Sequence, residues 1–454
     1  MTSINQIKQK YDFFHKITLQ KNLFTPAPTF DRKIPFQSGK FIRNTWKEFL
    51  SSPSLPANIS LYMHVPFCKN KRCRYCMYYS AILRKRNEFT SYISYLSEQA
   101  DFFLEVFKKT KFTSSYIGGG TPSILNVTQL SKLLSIANRF SFKSNAEHTC
   151  EQSFHTTSCH KIDVLAGSGV NRLSFGLQSI EKKVLNAVDR APVEINTINR
   201  LIKHAKNSGI TEINIDLMIG LPGETTEGIK KGLQSAIDAG AHCITVYVFR
   251  HLKHHMENLR SNESFFTWYN ADHIPKMLAN LRKTAFMLGW IDTVMNDNSE
   301  FHFFTSKNHL NRYSLSGYLT RYDSEHQNSI LGLGHSAFSF IMDFFRYECR
   351  DREMSFNPET ISFVFDRISG DDRKRLFVLD HLNREGKINT NLFKASFGQD
   401  FRVSFEKELR ELGLLKKICI KNDTFLFKTD DRIEFAALSK FFWPESYIIE
   451  ETLS

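Results

Sequence analysis

From about Ser60 the chain alternates short apolar runs with stretches whose apolar residues recur at helical spacing, a rhythm that restricts the fold to βα units around a parallel sheet. "SLYMHV" reads as a first strand and "FTSYISYLSEQADFFLEVFKK" as a first helix. "SSYIGGG", "EHTCE", "NRLSFGLQ", "EINIDLMIG" and "CITVYVF" follow as strands, separated by helices such as "INTINRLIKHAKNSG" and "TTEGIKKGLQSAIDAG", several of them stopped by Gly. Six units in succession predict an α/β fold, a full or partial (β/α) barrel, whose chemistry lies at the C-terminal ends of its strands.

The polar and Gly-rich motifs fall at those ends. Cys68, Cys73 and Cys76 follow the first strand, "GGGTP" ends the second, Glu151 the third, Gln178 the fourth, and Asp216 with "GLPGET" the fifth. The opening residues lack the apolar core of a signal peptide, and no run of eighteen apolar residues is present, so a cytoplasmic, reducing location without a membrane span is expected. There, clustered cysteines read as metal ligands or catalytic thiols rather than disulfides. The scattered Cys150, Cys159, Cys243, Cys349 and Cys419 read as core fillers. Structural zinc is usually held by two separated cysteine pairs, and no partner pair is evident. Three thiolates on one tight loop suit a [4Fe-4S] cluster with one iron left open for a small-molecule ligand, while a zinc site borrowing His64 is the alternative.

The net charge of +13 raises the question of nucleic acid, but the charge is spread in short clusters, and attraction of an acidic small molecule accounts for it equally well. The 41 Phe residues would suit a pocket for a large flat ligand, although biased composition is the simpler account. The expected organisation is an N-terminal arm at 1–57, loosely structured and carrying Pro26, Pro28 and Pro35, then a barrel core at 58–295. A substrate-side segment at 296–354 completes the barrel. A small C-terminal helical, winged-helix-like domain at 355–454 ends in a hairpin turning at Asn422 and Asp423.

Taken in order, "LYMHVPFC…CRYC", "YIGGGTPS", "GVNRLSFGLQS", "INIDLMIGLPGET", "ITVYVF" and "GLGHSAFS" resemble the oxygen-independent coproporphyrinogen III oxidase, or HemN-like, family of the radical S-adenosylmethionine (SAM) superfamily, over roughly 60% of the chain. The resemblance implies a radical SAM enzyme in which Cys68, Cys73 and Cys76 ligate a [4Fe-4S] cluster and SAM is cleaved to a 5′-deoxyadenosyl radical. By position, Tyr62 lies close to SAM, and Gly118, Gly119, Gly120 and Thr121 approach its methionine end. Glu151 and Arg190 bind its charged ends, Gln178 and Asp216 hold ribose hydroxyls or a second SAM, and Phe338, after Gly332 and Gly334, lies near the adenine. One or two SAM molecules are thus implied, with a small-molecule substrate, flat aromatic or tetrapyrrole, and a low-potential electron donor such as flavodoxin or ferredoxin.

Three departures mark a divergent branch. Cys68 and Cys73 are separated by four residues where the family has three, Tyr78 stands where authentic coproporphyrinogen oxidases carry another cysteine, and the "HNxxYW"-like stretch of heme chaperones is absent. His302, His309 and His335 nevertheless fall on the expected substrate side. Methyl or one-carbon transfer to an unsaturated or aromatic substrate is the first expectation, porphyrin or heme chemistry the second, and a non-catalytic heme carrier or nucleic-acid module the third.

Overall fold

A computed structural model describes residues 3–20, 36–51, 58–69, 72–76, 80–82, 88–249, 272–294, 301–309, 328–341, 345–349, 356–367 and 370–443. Seven strands form a continuous parallel sheet: β1 (Asn58–Val65), β2 (Phe112–Gly119), β3 (Phe142–Gln152), β4 (Arg172–Gln178), β5 (Glu212–Ile219), β6 (Cys243–Val248) and β7 (Asn328–Leu333). Their order is β7-β1-β2-β3-β4-β5-β6, so each crossover from β1 to β6 moves one place along the sheet and the last strand returns to pair with the first. Antiparallel strands extend both flanks. Phe301–Ser306 and Trp290–Asp292 lie beyond β6, and Phe338–Ile341, Phe345–Cys349, Ser362–Arg367 and Phe36–Ser38 lie beyond β7. Among the described residues the two edges do not pair, so the expected barrel is of the partial kind.

The helices between strands begin where the sequence supplies caps. Asn126 and Gln129 form a reciprocal capping box on Val127–Ala137, Ser158 caps Cys159–Gly167, and Thr225 caps Thr226–Asp238. Alternate strand residues divide between two environments. Leu61, Met63, Ile117, Leu173, Phe175, Ile213, Ile215 and Val246 join the core with helix residues such as Leu96, Leu130 and Leu201. The intervening positions are polar and bond across strands. Ser60 and Ser114 Oγ lie 2.7 Å apart, Asn328 Nδ2 donates to Ser60 Oγ at 3.0 Å, and Thr245 Oγ1 donates to Asn214 Oδ1 at 2.9 Å. This polar layer is buried and satisfies its groups by bonding strand to strand.

The N-terminal segment differs from expectation. Ile4–Gln20 is a helix, with Ile7, Phe14 and Ile17 buried against the C-terminal unit. Phe14 meets Phe441 edge-on at 5.2 Å, and Lys10 Nζ pairs with Glu411 at 2.7 Å. The second helix, Gly39–Ser51, buries Trp46, whose indole donates to Tyr347 Oη at 2.7 Å. Pro26, Pro28 and Pro35 lie outside the described residues.

The C-terminal unit combines helices Gly370–Glu385, Thr390–Phe397, Phe401–Ser404, Glu406–Leu414 and Arg432–Ser439 with a three-stranded sheet, a winged-helix-like layout. Its hairpin turns at Asn422 and Asp423, both left-handed with φ of 50° and 57°, as a two-residue primed turn requires. Phe377, Phe393, Phe401, Phe405, Phe425 and Phe442 fill its core. Because Ser362–Arg367 still belongs to the large sheet, we propose a boundary nearer 370 than 355.

Candidate cofactor site at the strand ends

β1 leads through Pro66 into the two-residue strand Phe67–Cys68, and the glycine segment that ends β2 is packed against it. Gly120 N donates to the Val65 carbonyl and Thr121 N to the Phe67 carbonyl, each at 2.8 Å. A side chain at Gly120 would begin 2.5 Å from the Phe67 carbonyl oxygen, and one at Gly119, where φ is +114°, would run into the His64 ring. Gly118 likewise abuts the Glu151 carboxylate. The glycines therefore let β2 seat the start of the cysteine loop, a role separate from close approach to a ligand. Thr121 Oγ1 reaches Cys68 Sγ at 3.8 Å.

Cys73 to Cys76 form a turn closed by Cys76 N to the Cys73 carbonyl at 3.0 Å. The segment after helix Lys182–Ala187 holds this turn at successive residues. The Val188 carbonyl accepts from Arg74 N at 3.0 Å, and Asp189 accepts from Arg74 Nε at 2.8 Å. Arg190 Nη1 donates to Tyr75 Oη at 2.9 Å and lies 3.9 Å from Cys73 Sγ, while Nη2 donates to the Gly176 carbonyl. Tyr75 also packs on an apolar cluster of Val184, Val188, Met218, Leu221 and Phe249, and burial pushes its phenol far up, opposed by the Arg190 charge.

All three cysteines are partly exposed, and none of them forms a disulfide. A single zinc about 2.3 Å from each sulfur would bring the sulfurs within about 4 Å of one another. These three are not gathered within 4.8 Å, a spread that among the described residues only Glu212, His242 and His309 meet. The three thiols do not form a zinc-sized knot, and three thiolates on one loop are the donor type of an iron–sulfur cluster.

Glu151 ends β3 with its carboxylate accepting from Tyr116 Oη at 2.7 Å and from Gly119 N at 3.0 Å. Burial pushes it up to about 7 against the pull of the Tyr116 hydrogen bond, and nearby Asp216 adds to the rise. Asp216 accepts from Ser174 Oγ at 3.0 Å and Asn214 Nδ2 at 2.7 Å and is also raised by burial. Gln178 is held at φ +72° beside a register shift between β4 and β5, and its Oε1 is buried with no hydrogen-bond partner among the described residues. Strained backbone and an open polar atom at one residue mark a place where a ligand belongs. Tyr62 is flanked in register by Gly332 and Tyr116, and its hydroxyl lies 2.7 Å from His64 Nδ1. Phe338 stands half-buried near Gly332, at the same end of the sheet, with Arg346 over its ring.

The structure thus brings Tyr62, Gly118, Gly119, Gly120, Thr121, Glu151, Gln178, Arg190, Asp216 and Phe338 to the strand-end side that carries the cysteines. Sequence reasoning missed Tyr75, Tyr116 and Glu181, and quoted "GLPGET" without singling out Glu224. Glu224 accepts from Gly220 N at 2.9 Å and is pushed up to about 8 by burial, and Glu181 and Glu224 each keep a buried oxygen without a partner among the described residues. Of the three histidines expected on the substrate side, His302 faces Asp292 and Arg282, His335 lies tilted against the Tyr95 ring at 4.7 Å, and His309 lies at the opposite pole, against Glu212. Tyr78 lies outside the described residues.

Residues 62–236 match the radical SAM superfamily. The chain is 26% identical to the oxygen-independent coproporphyrinogen III oxidase of Salmonella typhimurium over 79% of each chain, and 34% identical to the heme chaperone HemW of Buchnera aphidicola over 42% of this chain and 50% of that one. The solved coproporphyrinogen III oxidase (HemN) of Escherichia coli shares the fold with a TM-score of 0.73 at 20% identity, covering 92% of this chain and 96% of that one. Fold, strand-end site and these matches define a radical SAM protein. Within that superfamily the chain is HemN-like, similar to the coproporphyrinogen III oxidases in sequence and fold. The expectation of methyl transfer finds no support in these relatives. The radical SAM match implies a [4Fe-4S] cluster and SAM, and three clustered thiols are the donor type that such a cluster takes.

Proposed function

We propose that the protein holds a [4Fe-4S] cluster on Cys68, Cys73 and Cys76, binds SAM across the ends of β1 to β5, and acts on a tetrapyrrole. The observation that carries this reading is the coincidence of three clustered, partly exposed thiols outside any disulfide with the Gln178 oxygen that lacks a partner among the described residues, at one end of the sheet. When bound, the cluster and SAM supply reductive cleavage of the sulfonium and so the start of hydrogen abstraction. The chain's own residues bind and aim. Tyr62, the segment from Gly118 to Thr121 and Glu151 border the cysteine loop, and Gln178 and Asp216 offer amide and carboxylate oxygens to hydroxyl or ammonium groups. Phe338 offers a ring face. Glu151, poised near neutrality, holds or releases a proton at Oε1 or Oε2 as a cationic ligand arrives. The tetrapyrrole is drawn from the coproporphyrinogen oxidase relatives, and a second SAM and a flavodoxin or ferredoxin donor belong to the same proposal. The surplus of positive charge would speed encounter with an acidic donor or a substrate carrying carboxylates.

A second reading, a heme carrier that does not turn over, is favoured by the likeness to HemW. Anaerobic reconstitution with iron and sulfide, then dithionite and SAM with and without coproporphyrinogen III or heme, separates the two. Deoxyadenosine that increases with tetrapyrrole supports the enzyme. Stoichiometric heme binding without deoxyadenosine supports the carrier, and neither result from a loaded cluster would sink both.

A further inference from the structure

The cysteine loop is gripped unevenly. Cys68 is approached by a neutral hydroxyl, that of Thr121 at 3.8 Å, whereas Cys73 is approached by a guanidinium, Arg190 Nη1 at 3.9 Å. That guanidinium is fixed from two sides, by the Gly176 carbonyl at the end of β4 and by the Tyr75 hydroxyl at 2.9 Å. Tyr75 is itself fixed, because its ring packs on Val184, Val188, Met218, Leu221 and Phe249 and its backbone lies inside the turn that Val188 and Asp189 hold through Arg74. Asp189 adopts φ +56° to make that grip, so the segment carrying Arg190 has a defined path toward the thiol.

Resting on the reading of the three cysteines as cluster ligands, we propose that Tyr75 is a positioning residue that holds the Arg190 guanidinium against Cys73, and that this one cationic N–H raises the reduction potential of the cluster. Hydrogen bonds and positive charge at a cluster sulfur stabilise the more negative, reduced state, and a charged donor does so more strongly than a neutral one. The phenol oxygen supplies what a phenylalanine ring of the same shape could not, an acceptor that keeps the long arginine side chain from swinging away. The device also makes Cys73 electronically unlike Cys68, so the cluster would carry a built-in polarity from the Arg190 side toward the Thr121 side.

The test uses the full chain, reconstituted anaerobically, as the parent, Tyr75→Phe, Arg190→Gln and the double variant. Iron and sulfide per chain are measured first, then the cluster is titrated electrochemically with its reduced form followed by electron paramagnetic resonance. With iron content equal to the parent's, the reduced-to-oxidised ratio at the parent's midpoint falls roughly three- to tenfold in Tyr75→Phe and further in Arg190→Gln. Tyr75→Phe adds nothing in the Arg190→Gln background. Should Arg190→Gln fail to retain iron, Arg190→Lys takes its place in the cycle. An unchanged ratio in Tyr75→Phe overturns the proposal, as does loss of iron in Tyr75→Phe, which would make the tyrosine an assembly residue. An effect that persists undiminished without Arg190 overturns it as well. A parent that takes up no cluster sinks the ligand assignment instead.

Discussion

The same strands end in two different kinds of chemistry. At their C-terminal ends sit three clustered thiols, a carboxyl pushed up to about 7 and a Gln178 amide oxygen with no partner among the described residues. At the N-terminal ends of β5 and β6, titratable groups are just as dense but spend themselves on one another. Glu212 is buried and takes the His309 ring at 2.8 Å, and the His309 ring stacks on His242 with centroids 4.8 Å apart. His242 Nδ1 accepts from Ile213 N at 3.0 Å, which leaves the proton of the neutral ring on Nε2 and closes that nitrogen to a metal ion. Burial lowers His242 to about 4, with Lys206 nearby adding to the effect, so the ring is neutral at physiological pH. Three ligand-type residues within 4.8 Å are thus a strut, while the less tightly gathered cysteines are the proposed site. Proximity alone does not make a centre. What distinguishes one is polar capacity left open.

Substitutions at the two poles should therefore separate. The largest effect is expected from Cys73→Ala, which should abolish iron binding as read by iron per chain while the secondary structure seen by circular dichroism is kept. Retention of the parent's iron would place the ligands elsewhere. Gln178→Ala should weaken SAM binding about tenfold, the worth of one well-placed hydrogen bond, with iron content intact in a calorimetric titration. Loss of iron would instead make Gln178 a folding residue. At the other pole, His309→Ala leaves a buried carboxylate without its partner and should cost about 1–3 kcal/mol in urea unfolding with no change in iron or SAM affinity.

The smallest effect concerns pH. Glu151 is raised above its unfolded value, so between about pH 4.5 and 7 the native state keeps a proton that the unfolded chain has lost. Its contribution is therefore fully present below that window, falls as pH rises through it and is level above. Glu151→Gln should remove the fall, making the variant more stable than the parent by about 1 kcal/mol at pH 8 but not at pH 4.5, as read by thermal melts. A gap that does not change with pH would assign the stability change to packing alone.

Much of the fold was legible because β1 to β6 carry short apolar stretches set between segments of helical spacing, and a strand's end is readable wherever the stretch stops at a Gly or a charge. That is how Glu151 and Gln178 came to be singled out, whereas Asp216, expected at the end of β5, lies three residues inside it because the strand continues to Ile219. Tyr75 and the Glu212–His309 pair were not legible, since each depends on contacts between segments far apart in sequence, 115 positions for Arg190 with Tyr75 and 97 for the pair. The N-terminal helix was missed for a related reason. Its few large apolar residues are spaced at Ile7, Phe14 and Ile17, and what makes them a helical face is Phe441.

That helix also sets a schedule. Lys10 meets Glu411 across 401 positions, so on a ribosome adding about 5–20 residues per second the first helix waits on the order of 20 to 80 s for its partner to be made. Ile7, Phe14 and Ile17 are wetted or held by a chaperone for that whole interval. Completion of the C-terminal unit is thus the event that ends their exposure, and a lesion near Phe441 would be felt during synthesis as a failure of the segment made first.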